Sequence, residues 1–345
     1  MKKLRKSAIT NLKGSDEKLR VDWMISKMSQ NKAFLYFSEK KNKFEKEKLL
    51  KDFKNNYFEY RKKWKNNLKK AIEEKATGKN FNDTKITPQC IDIEVASVCD
   101  LACPHCYRQF ISTPDKVMSK ELAFKLIDQA SKLKVPSMKF NWRGEPLLNP
   151  ALPEIIDYAK KSGVLETIIN TNATKLNFEM SNKIIDSGLD LMIYSFDGGT
   201  KKSYEKMRPG RFKKNNFNEI YNNIKDFNKI RNDRKSSFPR TKIQMVLTND
   251  TFEEQEEYFS LFKDIVDDVS VKQYTERGGK FGDIDKEYFR GACSEENIES
   301  LNNKIKTKHV DKDSEIMKDP DGSIFVSKGR LPCEQPYQRM LITYD

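Results

Sequence analysis

The stretch between residues 88 and 275 alternates between two patterns. Six short apolar runs of strand length are separated by five longer segments in which apolar residues recur every three or four positions. The strand-like runs are residues 90–95, 137–141, 165–169, 191–195, 243–247 and 269–271. Strands that alternate with helices form a parallel sheet, because each helix returns the chain across the sheet. The alternation predicts an α/β fold, an open or partial (β/α)6 barrel, with its chemistry at the carboxyl ends of the strands.

A loop directly after the first predicted strand holds half of the chain's six cysteines. Cys99, Cys103 and Cys106 lie within the sequence CDLACPHC. Three thiolates on so short a loop suit a four-iron cluster in which one iron keeps no protein ligand, since four cysteines are the usual set. A zinc site is an alternative, with Cys293 or Cys333 as a distant fourth ligand. Buried unreactive thiols are another, although the polar neighbours disfavour a core position for this loop.

Polar motifs follow the next three predicted strands as well. They are NWRGEPLLNP at residues 141–150, NTNA at 170–173 and SFDGG at 195–199, the last followed by YEKMRPG at 204–210. Together with CDLACPHCY at 99–107, this order resembles the radical S-adenosylmethionine (radical SAM) superfamily, whose signature is CX3CXΦC. The motifs are typical of its subgroup with a SPASM or twitch C-terminal extension, and the resemblance covers about residues 90–275.

The resemblance implies a [4Fe-4S] cluster held by the three loop cysteines, with S-adenosylmethionine bound to the open iron. Reduction by an external flavodoxin- or ferredoxin-like donor then yields methionine and a 5′-deoxyadenosyl radical, which abstracts hydrogen from the substrate. We expect a peptide or protein substrate. A small molecule such as a sugar or nucleotide-sugar is the alternative. A non-catalytic zinc module that binds nucleic acid is a further alternative.

The resemblance also implies which residues bind the methionine part of S-adenosylmethionine. Glu145 is expected to accept a hydrogen bond from the ammonium group. Gly144 allows a close backbone approach and Pro146 stiffens the turn. Ser195 and Arg208 are the candidates for the carboxylate, because a guanidinium offers a charge-assisted fork.

For the remainder of the cofactor, the resemblance implies Thr171 and Asn172 at the ribose hydroxyls. It implies the ring of His105, or Tyr107 beside it, near the adenine. The fifth predicted strand offers no residue that we would add. Arg143 departs from the family pattern, since glycine is usual there, and it would be strained if the position required a positive φ.

The basic character of the chain belongs to its first quarter. Residues 1–86 carry 25 Lys and Arg against 11 Asp and Glu, which accounts for the whole net charge of +14. Residues 16–76 contain neither Pro nor Gly and space apolar residues as in two or three amphipathic helices. A basic region can bind nucleic acid or an acidic partner, but solvated Lys-rich helices are favoured here and nucleic acid is disfavoured. We expect deletion of residues 1–76 to spare cofactor cleavage and to impair substrate use.

Three regions follow from these patterns. Residues 1–86 are a basic, mainly helical extension, residues 87–275 are the barrel, and residues 276–345 begin a small C-terminal extension. Cys333 and the strand-like run at 340–344 resemble the opening of a SPASM extension, whose later cysteines do not follow here. Cys293 and Cys333 are candidate ligands of an auxiliary iron–sulfur cluster in a longer chain, although two free cysteines are the favoured interpretation of this one.

Targeting signals and cysteine usage predict the compartment. No apolar run approaches the length of a membrane span, which is about 18 residues or more. The basic start of the chain is not followed by the apolar segment of a secretory signal. Six cysteines of which three are crowded together suit a reducing compartment, so we expect a cytoplasmic location.

Overall fold

A parallel β-sheet forms the centre of the computed structural model, which describes residues 15–76, 87–106, 108, 114–248, 250–273, 316–318, 324–326 and 338–343. The strands are β1 (Cys90–Ile93), β2 (Ser137–Lys139), β3 (Glu166–Thr171), β4 (Leu191–Ser195), β5 (Arg240–Leu247), β6 (Asp268–Gln273), β7 (Ile316–Lys318), β8 (Ile324–Val326) and β9 (Arg339–Ile342). Strands β6 to β1 lie side by side in reverse chain order, which confirms the predicted α/β fold.

A seventh strand extends the six that the alternation predicts. Strand β9 pairs in parallel with β1, with Cys90 opposite Arg339 and Ile93 opposite Ile342. Strands β7 and β8 form a separate antiparallel pair. The predicted boundaries at residues 86 and 275 lie outside the described residues and stay predictions.

Helices cover the sheet and its amino end. They are α1 (Ser15–Lys27), α2 (Lys32–Ser38), α3 (Lys43–Ala76), α4 (Lys120–Lys132), α5 (Leu152–Lys161), α6 (Phe178–Ser187), α7 (Lys201–Met207), α8 (Phe217–Asp233) and α9 (Gln255–Phe262). Several start at a polar N-cap, as at Ser119 and Asn177, whose side chains accept a backbone N–H of the first turn. In the described part of the chain, no helix combines the length and the apolar character that crossing a membrane requires.

The residues before α9 do not form the N-terminal cap that their sequence predicts. Thr251 with Glu254 predicts a capping box, which is wrong. The Thr251 hydroxyl instead donates to the carbonyl oxygen of Val246 at 2.8 Å and accepts the N–H of Thr248 at 2.9 Å. A 3₁₀ helix, Phe252–Glu254, therefore precedes the α-helix.

Alternation along β5 separates the core from the site. Thr241, Ile243, Met245 and Leu247 are buried on one side of the strand, while the residues between them are only partly buried. Because successive side chains of a strand point to opposite faces, one face packs on the helices and the other faces the interior of the barrel. The core consists of the apolar faces of the strands and of helices α4–α9.

The three N-terminal helices pack against the amino ends of the strands. Asn31, fully buried between α1 and α2, donates to the carbonyl oxygen of Leu165 at 3.1 Å and to Asp190 at 2.7 Å. Three helices agree with the predicted number. Only part of the predicted apolar stripe is buried, however, since Phe44 remains 76% exposed and Phe58 53% exposed.

Candidate functional site

Loops at the carboxyl ends of the strands enclose an open cavity of about 270 Å³. Ten residues that the motifs singled out line this cavity: Cys99, Cys103, His105, Cys106, Gly144, Glu145, Thr171, Asn172, Ser195 and Arg208. Pro146 is buried beside it and begins the 3₁₀ helix Pro146–Leu148. The predicted candidates Tyr107, Cys293 and Cys333 lie outside the described residues.

The loop after β3 holds one side of the cysteine loop. The Asn172 amide donates to the Asp100 carboxylate at 2.8 Å and lies 3.9 Å from the Cys99 sulfur. The Thr174 hydroxyl donates to the other Asp100 oxygen at 2.7 Å. A carboxylate that accepts two such bonds cannot turn freely, so Asp100 fixes the backbone next to Cys99.

The segment after α7 holds the other side of the cysteine loop. The N–H of Ala102 donates to the carbonyl oxygen of Pro209 at 2.8 Å, and the N–H of Arg211 donates to that of Asp100 at 2.8 Å. A Cβ on Gly210 would lie 1.6 Å from a backbone oxygen three residues later. Glycine is therefore required at the turn that brings these two segments together.

Gly144 has a comparable reason to be glycine. A Cβ at this position would lie 2.4 Å from the carbonyl oxygens of both Ala96 and Val98. The next residue, Glu145, donates its N–H to the Val98 carbonyl oxygen at 2.8 Å. The predicted close backbone approach thus occurs against the chain's own loop after β1, and it places Glu145 at the cavity.

Glu145 is buried with hydrogen-bond donors but without a cation. Its carboxylate accepts from the Thr171 hydroxyl and from the N–H of Asn172, both at 2.7 Å, and from the N–H of Leu147 at 3.1 Å. Burial raises the pKa of this carboxyl to about 7, although the three hydrogen bonds favour the charged form. Among the described residues no basic side chain pairs with it. Its carboxylate is therefore available to pair with a bound cation.

Thr171 and Asn172 have partners within the protein. The Thr171 hydroxyl donates to Glu145 and accepts the N–H of Ala173 at 3.0 Å. The Asn172 side-chain oxygen accepts the N–H of Thr174 at 3.0 Å. These contacts show both residues positioning the carboxylate and the cysteine loop. Their predicted contact with a ribose stays a prediction.

An ion pair lies beside the cysteines. Asp197 accepts from Arg208 Nε at 2.8 Å and from the N–H of Val246 at 2.6 Å. His105 Nε2 lies 3.4 Å from the same carboxylate, and its pKa is lowered by burial. Its Nδ1 is buried without a hydrogen-bond partner in the part of the chain that the structure describes. This edge of the ring can therefore accept a bond from a ligand in the cavity.

The cysteine thiols suit a cluster better than a single ion. Burial raises the pKa of Cys99 and of Cys103 to about 12, so an electrophilic metal is needed to deprotonate them near neutral pH. Within the described ranges, no three Cys, His, Asp or Glu side chains converge closely enough for one metal ion. An iron–sulfur cluster distributes its thiolates over separate irons, and three thiols around one cavity fit that need.

Arg143 has no positive φ and forms an ion pair with Glu94. The non-glycine residues with positive φ in the described part are Lys134, Ala173 and Lys235, so the condition for strain at Arg143 is not met. Its guanidinium instead pairs with the fully buried Glu94, with Nε 2.7 Å from Oε1. This pair ties the end of β1 to the loop after β2.

Several residues that line the cavity were given no role from the sequence alone. Asn141, Asp197, Gln244, Val246 and Lys272 line the cavity as well. The signal for Gln244 and Val246 was present in the alternation of β5, where they occupy the less buried positions. Asp197 lies inside a quoted motif, but its pairing with Arg208 depends on the fold.

Comparisons with known proteins agree with this geometry. Residues 93–262 match the family model described as Radical SAM superfamily. A stretch of 108 residues is 32% identical to the tungsten-containing aldehyde ferredoxin oxidoreductase cofactor-modifying protein of Pyrococcus furiosus and covers 30% of each chain. Another of 111 residues is 33% identical to the Fe-coproporphyrin III synthase of Methanosarcina barkeri, over 32% of this chain and 27% of that protein.

A solved structure shares the fold. SuiB of Streptococcus suis bound to S-adenosylmethionine aligns with a TM-score of 0.53 and 17% identity, over 87% of this chain and 64% of that chain. At this identity the likeness shows the fold alone. The matched parts span less than a third of the two curated relatives.

Proposed function

We infer from the match of residues 93–262 that this chain belongs to the radical SAM superfamily, and we propose that it cleaves S-adenosylmethionine reductively to methionine and a 5′-deoxyadenosyl radical. One observation carries the proposal. Three cysteines share a cavity with a buried glutamate that has no cationic partner among the described residues. S-adenosylmethionine brings the missing cation in its ammonium group.

Each end of the methionine part has a partner in the cavity. Cys99, Cys103 and Cys106 would hold a [4Fe-4S] cluster, which supplies one electron at low potential when bound. Glu145 would bind the ammonium, because burying that charge requires an opposite one. Arg208 pairs with Asp197 through Nε, so its two Nη groups are not committed to that carboxylate and suit the methionine carboxylate.

The other candidates serve orientation. Ser195 would add a hydroxyl for the carboxylate, and Thr171 and Asn172 would contact the ribose hydroxyls. The Nδ1 of His105, which has no hydrogen-bond partner among the described residues, would lie near the adenine, as would Tyr107 two residues later. Gly144 and Pro146 fix the turn that presents the glutamate.

The substrate is proposed to be a peptide or protein, which rests on the resemblance of the motifs to the SPASM or twitch subgroup. The second candidate is the same chemistry on a small molecule, and the name of the Fe-coproporphyrin III synthase relative favours it. Supplying the two classes separately and following hydrogen loss from each by mass spectrometry distinguishes them.

The remaining partners follow from the chemistry. The reaction needs an external one-electron donor of the flavodoxin or ferredoxin kind. Free thiols in the cavity suit a reducing compartment, so we propose the cytoplasm. Cys293 and Cys333 stay candidates for an auxiliary iron–sulfur cluster in a longer chain.

Anaerobic reconstitution tests the function directly. The protein is loaded with iron and sulfide, reduced with dithionite and supplied with S-adenosylmethionine. We expect four irons per chain and 5′-deoxyadenosine as a product. One tightly bound zinc without 5′-deoxyadenosine would contradict the proposal and support the zinc module instead.

A further inference from the structure

A short surface loop next to the cysteines combines positive charge with an exposed aromatic ring. In residues 211–214, here named the basic loop, Phe212 is 67% exposed. The Lys213 and Lys214 side chains are 72% and 81% exposed. The Arg211 guanidinium lies over the Phe212 ring at 4.8 Å. Aromatic residues and arginine are enriched in protein contact surfaces, and exposed charges of one sign attract a partner of the opposite sign.

The basic loop is attached to the backbone of the cysteine loop. Arg211 donates its N–H to the carbonyl oxygen of Asp100, the residue next to Cys99, at 2.8 Å. Leu101 and Gly210 form an isolated antiparallel bridge. From Phe212 to Cys99 the path thus crosses one hydrogen bond and two neighbouring residues. Residues 211–214 are not among those that line the cavity.

We propose that the basic loop is the docking surface of an acidic one-electron donor protein. This inference rests on the proposed function and deepens it. A substrate must reach the cavity, whereas an electron donor only has to approach the cluster from outside. The basic loop lies outside the cavity and next to the cysteine loop, which suits an electron donor. One electron leaves the reduced flavin or iron–sulfur centre of the donor and reduces the cluster by one electron, with no bond formed or broken and no proton transferred.

The charges of the basic loop can be shared with a partner at little cost. Lys213 lies 3.5 Å from Glu219, and Lys214 lies 3.8 Å from Glu205. Both lysines are exposed and both distances are long, so solvent screens these pairs and they contribute little to stability. Both lysines can therefore exchange these carboxylates for those of an acidic protein. Arg211 is paired more closely with Asp115, at 2.7 Å, and it anchors the loop.

The test compares two reductants on the reconstituted full chain. Formation of 5′-deoxyadenosine is measured with photoreduced flavodoxin, an acidic donor protein, and with dithionite, which needs no docking surface. For the double variant Lys213→Glu and Lys214→Glu, we expect about a tenfold lower rate with limiting flavodoxin, because charge complementarity governs the association rate. The dithionite rate should stay unchanged. Phe212→Ala should show the same selectivity with a smaller loss.

A matched control carries the same charge change elsewhere. Lys183 and Lys229 are also exposed and also paired with a carboxylate. Lys183→Glu with Lys229→Glu should leave both rates unchanged. An unaltered flavodoxin rate in the Lys213 and Lys214 variant would overturn the proposal, as would an equal loss with both reductants or a loss of substrate turnover alone. If the wild-type protein gives no 5′-deoxyadenosine even with dithionite, the proposed function itself has failed.

Discussion

Two buried glutamates at opposite ends of the same sheet have opposite electrostatic surroundings. Glu166 begins β3 at the amino end, where Arg20 pairs with it at 2.7 Å and the hydroxyls of Tyr57 and Tyr60 donate to it at 2.9 and 3.1 Å. Burial alone would raise the pKa of Glu166, but the charges of Arg20 and Arg61 outweigh it and the pKa lies below its ordinary value.

Glu145 at the carboxyl end of the sheet has a raised pKa, in contrast to Glu166. It is as deeply buried, yet only neutral donors reach it and its pKa rises to about 7. Buried charges in folded proteins are normally paired, as Glu166 is. The difference indicates that the amino end is complete within the chain, whereas the carboxyl end is complementary to a ligand that carries positive charge.

A second buried ion pair lies at the amino end of the sheet. Lys160 and Asp190 are both fully buried and lie 2.7 Å apart, and Asn31 from the N-terminal region donates to the same aspartate. Removing residues 1–76 would therefore leave Glu166 without Arg20 and Asp190 without Asn31. This changes the expectation from sequence, because the deletion should now impair folding as well as substrate use.

The largest effect should come from the cysteines. Cys103→Ala is expected to lower 5′-deoxyadenosine formation to the level of a protein-free control, because one corner of the cluster loses its ligand. Cys90 provides the matched control, since this buried thiol at the start of β1 is not among the residues lining the cavity. Cys90→Ala should retain product formation. Undiminished turnover in the Cys103 variant would remove the distinction between the two ends.

Breaking the ion pair at the amino end should cost stability rather than binding. Glu166→Gln leaves Arg20 without its charge partner, and loss of one partner of a buried pair destabilises by about 3 kcal/mol or more. Denaturant unfolding measures this loss. Affinity for S-adenosylmethionine should stay the same. Glu179→Gln, in an exposed pair with Lys183, is the control and should leave the free energy of unfolding nearly unchanged.

Replacing the glutamate at the carboxyl end should weaken binding of S-adenosylmethionine and cost little stability. Glu145→Gln keeps the size of the side chain and removes its charge, so the ammonium of S-adenosylmethionine loses a charge-assisted partner. A loss of about 1.5–3 kcal/mol corresponds to an affinity roughly ten- to a hundredfold weaker. Anaerobic titration calorimetry on cluster-loaded protein measures it. A destabilisation as large as that of Glu166→Gln with unchanged affinity would reverse the roles assigned to the two glutamates.

The smallest effect is a pH dependence of stability at the amino end. The folded-state pKa of Glu166 lies below its ordinary value of 4.5, so its stabilisation is present above that pH and is lost as the pH falls through the folded pKa. Between pH 6 and pH 3.5, the free energy of unfolding of the Glu166→Gln variant should therefore fall less steeply than that of the wild type. Parallel curves for the two proteins would show that Arg20 does not hold the carboxylate charged.

Local patterns predicted the barrel and the loops of the site, but pairings between distant residues could not be predicted. The alternation located β1 to β6, and the spacing of Cys99, Cys103 and Cys106 located the site. Strand β9 was recognised as strand-like, but its place beside β1 depends on contacts across almost the whole chain. The ion-pair partners of Arg143 and Glu166 could not be predicted for the same reason. A charged residue does not specify which opposite charge the fold brings close to it.

We propose that the three cysteines leave one metal position open for the amino acid part of S-adenosylmethionine. The direct measurement is electron–nuclear double resonance on the reduced, reconstituted protein with S-adenosylmethionine labelled with ¹⁵N in its amino group. We predict a hyperfine coupling between the cluster spin and this nitrogen. No coupling to it, together with evidence of a fourth ligand from the protein, would contradict the account.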